Sequence, residues 1–115
     1  MTIILTPESL MQHRVQALTT RDIDAIMSEY NDDAVVMTEA GILRGLEAIR
    51  NLLMQTFTEA PPGTLETLTI DKQYIAGDYI FVLWSIPALN LSGNDTICIR
   101  NGKIVMLAGT AHVTS

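Results

Sequence analysis

The side chains with the types that acid–base or ligand-holding chemistry needs are Arg14, Tyr30, Trp84, Asp95 and His112. Asp95 is the most informative. It opens a β-prone run that ends at Asn101-Gly102, the strongest short hairpin signal, because a type I′ turn needs positive φ at both central positions. Counting back from a two-residue turn sets Arg100 against Lys103, Ile99 against Ile104, Ile97 against Met106 and Asp95 against Ala108. Asp95 then shares one face with Ile97, Met106, Thr110 and His112. A carboxylate on an apolar face either keeps its proton to unusually high pH or has a cation beside it. One reading makes Asp95 a catalytic acid or base in a pocket. The other leaves it a solvated strand-end residue, since Gly93-Asn94 reads as loop.

Arg14 falls within the helical face made by Leu10, Met11, Ala17 and Leu18, where an arginine is uncommon unless paired. It is read as an ion pair with Asp95, as a clamp for an anionic ligand, or as a snorkelling edge residue. If it pairs with Asp95, that carboxylate is ionised and cannot donate a hydrogen bond. His112 is a second catalytic candidate, as a base at a pocket mouth; about 13 Å of strand separates it from Asp95's neighbour, which argues against direct pairing. A frayed, solvated residue is the plainer reading. His13 is expected to face outward. Tyr30 and Trp84 each combine an apolar body with one polar handle, and core packing is the plainer role for Trp84. Methionines such as Met106 suit an adaptable lining and equally an ordinary core.

Certain elements must position these groups. Thr6-Pro7-Glu8 starts a helix, and Leu10, Met11, Val15 and Leu18 recur at helical spacing. Asp22 can cap a second helix with Ile23, Ile26, Met27 and Tyr30 on one stripe, broken by Asn31-Asp32-Asp33. Ala34 to Thr38 is β-prone, with Glu39 just after it as a candidate base or an exposed turn residue. Gly45 precedes a third helix carrying Leu46, Ile49, Leu53 and Phe57, ended by Pro61-Pro62-Gly63. Thr64 to Ala76, Tyr79 to Ala88, Asp95 to Arg100 and Lys103 to Val113 read as strands. Val105, Leu107, Gly109 and Ala111, with Thr67, Thr69 and Thr96, would give the sheet an outer face able to meet a second copy.

Composition bounds the rest. A chain of 115 residues fits one domain, spanning 1–115. Apolar residues make up 48%, enough for a core with some left to line a cavity or an interface. The net charge is −6 and the basic residues form no cluster, so neither nucleic acid nor an anionic membrane is expected as a partner. No apolar run reaches the roughly 20 residues of a membrane helix. Met1 to Leu5 lacks the features of a signal peptide, and a cytoplasmic location follows as the expectation. Cys98 has no second cysteine to pair with, and reads as a buried, inert thiol. No metal set, phosphate loop or nucleophile elbow is present, and no cofactor is expected.

The order helix, helix, strand, helix, then four strands resembles the nuclear transport factor 2-like superfold. That group includes the ketosteroid isomerases and the SnoaL-like polyketide cyclases. The residues carrying the resemblance are Asp22-Ile23-Asp24-Ala25-Ile26, Tyr30 to Val36, Arg44-Gly45-Leu46-Glu47-Ala48-Ile49-Arg50 and Gly102-Lys103-Ile104-Val105. It implies an α+β cone: a curved antiparallel sheet wrapped around three N-terminal helices, with a cavity between. It also implies sites by position. The isomerase tyrosine falls on Arg14, its aspartate base on Thr38 beside Glu39, and its protonated aspartic acid on Asp95. Only the last has the required chemistry, so steroid isomerisation by that mechanism is not expected. The expectation is a small, largely apolar ligand held by Arg14, Leu18, Tyr30, Thr38, Trp84, Ile97, Met106 and Thr110, with Asp95 and His112 available for acid–base chemistry. A homodimer through the outer sheet face is expected alongside. The alternative is a non-catalytic dimerisation module whose core is filled by its own side chains.

Overall fold

The structure is a computed structural model that describes residues 5–114. Met1 to Ile4, most of the stretch weighed as a signal peptide, lie outside the described residues. Helix α1 (Pro7–Thr19) begins as expected. Thr6 and Ser9 cap each other reciprocally, and Pro7 stands where its missing N–H costs nothing. Helix α2 (Ile23–Met27) is capped by Asp22, whose side chain accepts from the Ala25 amide.

Tyr30 departs from expectation. It does not close α2 but opens strand β1 (Tyr30–Thr38). Ser28 Oγ folds back onto the Ala25 carbonyl at 2.6 Å, and the Glu29 carbonyl accepts from the Ile104 amide at 2.7 Å. The sheet therefore captures the chain one residue before Tyr30. Asn31-Asp32-Asp33, read as a break, lies inside β1 at an irregular stretch of its pairing. A short edge strand, β2 (Gly41–Arg44), follows where the sequence showed only a turn.

Helix α3 (Leu46–Glu59) comes next. Arg21 Nη1 donates to the Phe57 and Ala60 carbonyls at 2.7 and 2.8 Å, and Nη2 to Pro61 at 2.7 Å, so a cation gathers the carbonyls at the end of α3. After a 3₁₀ turn at Leu65–Thr67 come β3 (Thr69–Ala76) and β4 (Tyr79–Ile86). A second 3₁₀ turn at Pro87–Leu89 leads to β5 (Leu91–Arg100) and β6 (Lys103–Val113). Among the described residues no helix is long and apolar enough to cross a membrane.

The sheet runs β2-β1-β6-β5-β4-β3. Its pairs are antiparallel except β1 with β6. The Asn101-Gly102 turn forms with both φ values positive, and Arg100 faces Lys103 and Ile99 faces Ile104 as counted. Beyond that the register moves by one. A bulge next to Ile99 pairs Cys98 with Met106, Ile97 with Leu107 and Asp95 with Gly109. Two residues oppose one there, so every later β6 side chain changes face. Asp95 and Ile97 share the inner face with Leu107 and Gly109. Met106, Thr110 and His112 lie on the outer face, beside Cys98, Asn94 and Ser92.

The inner face meets the helices. Leu10 and Met11 of α1 and Ile49 of α3 pack on Val36, Ile80, Val82, Ile97, Ile104 and Leu107, all buried. Leu107, Gly109 and Ala111, expected to form an interface, therefore belong to the inside. The outer face carries a different apolar row. Ile42, Met37, Ala108, Thr96, Phe81 and Tyr74 stand in register across all six strands.

Candidate functional site

Arg14 is buried, and its partner is Glu29 rather than Asp95. Nη1 donates to Glu29 Oε1 at 2.7 Å and to the Tyr30 hydroxyl at 3.2 Å, with the guanidinium carbon 5.8 Å from the Tyr30 ring centre. The other Glu29 oxygen meets His13 Nδ1 at 2.5 Å. Glu29 is wholly buried, which its two partners make tolerable. Burial pushes its carboxyl above the usual range, and Arg14 and His13 pull it back. Burial also works against the Arg14 charge, but Tyr30, Glu29 and Asp95 outweigh it and hold the guanidinium above its ordinary, very basic range. His13, expected to face water, instead turns its Nδ1 edge inward.

A pocket of about 190 Å³ opens between α1, the 3₁₀ turn at Leu65 and the inner sheet face. Met11, Leu18, Leu65, Leu68, Ile86 and Leu91 make it greasy, and its polar groups include Arg14, Asp95 and Trp84. A second hollow of about 400 Å³ lies toward α3 and the β1–β2 turn, and includes Thr38, Glu39 and Thr110 in its lining. The two share Thr56, Trp84 and Asp95, which form the wall between them.

Glycines make that wall possible. A Cβ on Gly109 would overlap Asp95 Oδ1, and one on Gly93 would come within 2.6 Å of the Trp84 ring. Burial raises the Asp95 carboxyl above the usual aspartate range, against the smaller opposing pull of Arg14 and the Trp84 indole. The indole N–H favours a charge on Asp95 without forming a hydrogen bond to it. Trp84 Nε1 is thus the one buried side-chain polar atom without a partner among the described residues.

The structure brings Arg14, Leu18, Trp84 and Asp95 together around the smaller pocket, with Thr38 and Thr110 at the adjoining hollow. Tyr30 stands behind Arg14, buried, and orients it. Ile97 is fully buried core. The one-residue bulge turns the side chains of Met106, Thr110 and His112 to the outer face, where Asn94 Nδ2 donates to Thr110 Oγ1 at 3.0 Å. His112 is exposed and reaches Ser92 Oγ at 3.3 Å. The sequence reading missed Glu29. Its signal was indirect: an arginine on an apolar helix face demands a carboxylate, and treating residues 28–30 as helix hid the nearest one.

The chain matches the family model described as SnoaL-like domain over residues 11–107. No curated protein matches it. Among solved structures, it is similar to an NTF2-like protein from Burkholderia xenovorans at 18% identity, TM-score 0.78, covering 95% of this chain and 84% of that one. A SnoaL-like protein from Burkholderia thailandensis aligns at 16% identity, TM-score 0.78, over 95% of each chain. A protein with a ketosteroid isomerase-like fold from Catenulispora acidiphila, in complex with trimethylamine, aligns at 18% identity and TM-score 0.68, over 91% and 85% of the two chains. At these identities the likeness is one of fold. The family match spans most of the chain, and the curved sheet over three helices agrees with it: the chain belongs to the SnoaL-like domain family, with the NTF2-like cone fold.

Proposed function

We propose that the pocket beneath α1 binds a small, largely apolar ligand that carries one hydrogen-bond acceptor, and that Asp95 serves as its acid–base group. The observation behind this reading is the unpartnered indole N–H of Trp84 beside the raised carboxyl of Asp95. An indole N–H only donates, so what completes it must be an acceptor such as a carbonyl or hydroxyl oxygen. A buried donor left alone costs about 1–3 kcal/mol, which a bound acceptor would recover. Asp95 in its protonated form can donate to the same atom, and in its ionised form can remove a proton from a neighbouring carbon or hydroxyl. Arg14 Nη1 is already engaged by Glu29 and Tyr30, so a clamp on an anionic ligand is the weaker reading.

Native mass spectrometry of the purified protein, with denaturing extraction of the same sample, tests this. A co-purified neutral compound is the expected result, and Trp84→Phe should weaken its binding about tenfold, the worth of one hydrogen bond. A clean protein that binds no member of a panel of small ketones and phenols sinks the reading.

A second reading concerns assembly. Tyr74 and Ile42 on the outer face are each 57% exposed, with Phe81, Tyr79 and Met37 between them. We propose that a second copy covers this face, and the dimer is compatible with a ligand on the opposite, inner face. If the pocket takes no ligand, dimerisation alone remains as the chain's role.

A further inference from the structure

Asp95 does not meet Arg14 as a free cation. Glu29, fully buried, takes Arg14 Nη1 at 2.7 Å, and the Tyr30 hydroxyl shares the same nitrogen at 3.2 Å. The guanidinium is thus drawn toward β1 while still lining the pocket that Asp95 lines. We propose that Glu29 is a positioning residue for Asp95: by holding Arg14 against β1 and opposing its charge, it limits how strongly that cation acts on the Asp95 carboxyl. The inference rests on the assignment of Asp95 as the acid–base group.

Two fields compete at the Asp95 carboxyl. A lone guanidinium at a pocket wall favours the ionised form of a nearby carboxyl, because a low-dielectric lining screens it poorly. An opposite charge 2.7 Å away turns the cation into a dipole, whose field falls off faster with distance. His13 fixes the other Glu29 oxygen, so the carboxylate cannot turn away from Arg14. Asp95 faces few other charges. Glu39 stands across the second hollow, β4 offers only the Trp84 N–H, β6 offers Gly109 and α3 offers Thr56. Around Glu29 the further cation is Lys103, whose Nζ is bound to the Ser28 carbonyl at 2.7 Å. Arg14 is therefore the charge through which Glu29 reaches Asp95.

The test is the titration of the Asp95 side-chain carboxyl, followed by carbon-detected NMR in the ligand-free protein. Glu29→Gln keeps an acceptor for Arg14 but removes the charge. Asp95 should then lose proton affinity by about tenfold, because Arg14 acts on it unopposed. An unchanged titration in a folded Glu29→Gln protein overturns the inference. Should that variant fail to fold, Arg14→Met is compared with Arg14→Met combined with Glu29→Met, an apolar replacement of the kind buried ion pairs tolerate. The paired replacement should leave Asp95 within about threefold of its original proton affinity. An increase of tenfold or more would mean that Arg14 acts at full strength despite Glu29, and the proposal fails. No ligand is needed, so failure of the ligand assignment and failure of this one are read separately.

Discussion

The Asp95 carboxyl lies across the bare backbone of Gly109, in the space a β-carbon at that position would occupy. The pair is directly opposed on β5 and β6, so the side chain of one strand uses the vacancy left by the other. Gly109→Ala should therefore displace Asp95. The Asn94 carbonyl would also be 2.7 Å from the new methyl, and backbone cannot swing aside as a side chain can. A loss of about 1–3 kcal/mol is expected from such overpacking, read by thermal or urea unfolding. A variant as stable as the parent, with Asp95 titrating as before, would show that the strands part easily.

The buried Asp95 carboxyl makes stability depend on pH in a defined direction. Folding raises its proton affinity, so its favourable contribution is complete below the ordinary aspartate range and fades as pH rises through the folded value. Asp95→Asn mimics the protonated form. It should raise the melting temperature at pH 7, with the gain shrinking toward pH 3. A gain that grows on acidification would contradict the raised carboxyl.

Removing one partner of the internal ion pair should be far more harmful than removing a surface one. Glu29→Ala leaves Arg14 charged and buried, and a loss of about 3–5 kcal/mol is expected. Arg50 and Asp24 approach to 3.5 Å with both side chains largely in water, and Asp24→Ala should cost less than about 1 kcal/mol. Parallel urea titrations of the two variants give the comparison. Equal losses would mean that Arg14 finds water or another acceptor.

On the outer face, Tyr74→Lys and Phe81→Lys place charge at the β3 edge of the exposed apolar row and on the strand beside it. Analytical ultracentrifugation should show the unmodified chain as a dimer and the doubly substituted chain as a monomer, while circular dichroism stays the same. A monomeric parent protein would leave that row without an interface role.

Much of this was legible in the sequence because local rules and global shape agreed. Thr6-Pro7, Asp22 and Asn101-Gly102 each announced the element they start or turn. The β5–β6 register was only half legible. The bulge next to Ile99 is hidden because Met106 and Leu107 are both apolar, so shifting one place costs the hydrophobic pattern little. That shift decided which residues reached the pocket face. Asp95 stayed with Ile97, whereas Met106, Thr110 and His112 changed sides. Glu29 escaped for a different reason. It belongs to the two residues between α2 and β1, where helical spacing and strand alternation both stop applying, and only the demand of a buried Arg14 pointed toward it.

The bulge in the β5–β6 hairpin also makes β6 a counted length. Between the bulge and Gly109, the number of residues matters more than their kind, since each one added exchanges inside for outside along the remaining strand. Substitutions among the apolar residues of this stretch should be forgiven, whereas a single residue inserted between Met106 and Leu107 would turn Ala108 inward and push Leu107 to the outer face. Variation in this hairpin is thus expected to come as replacements rather than as insertions, with loops elsewhere absorbing added length.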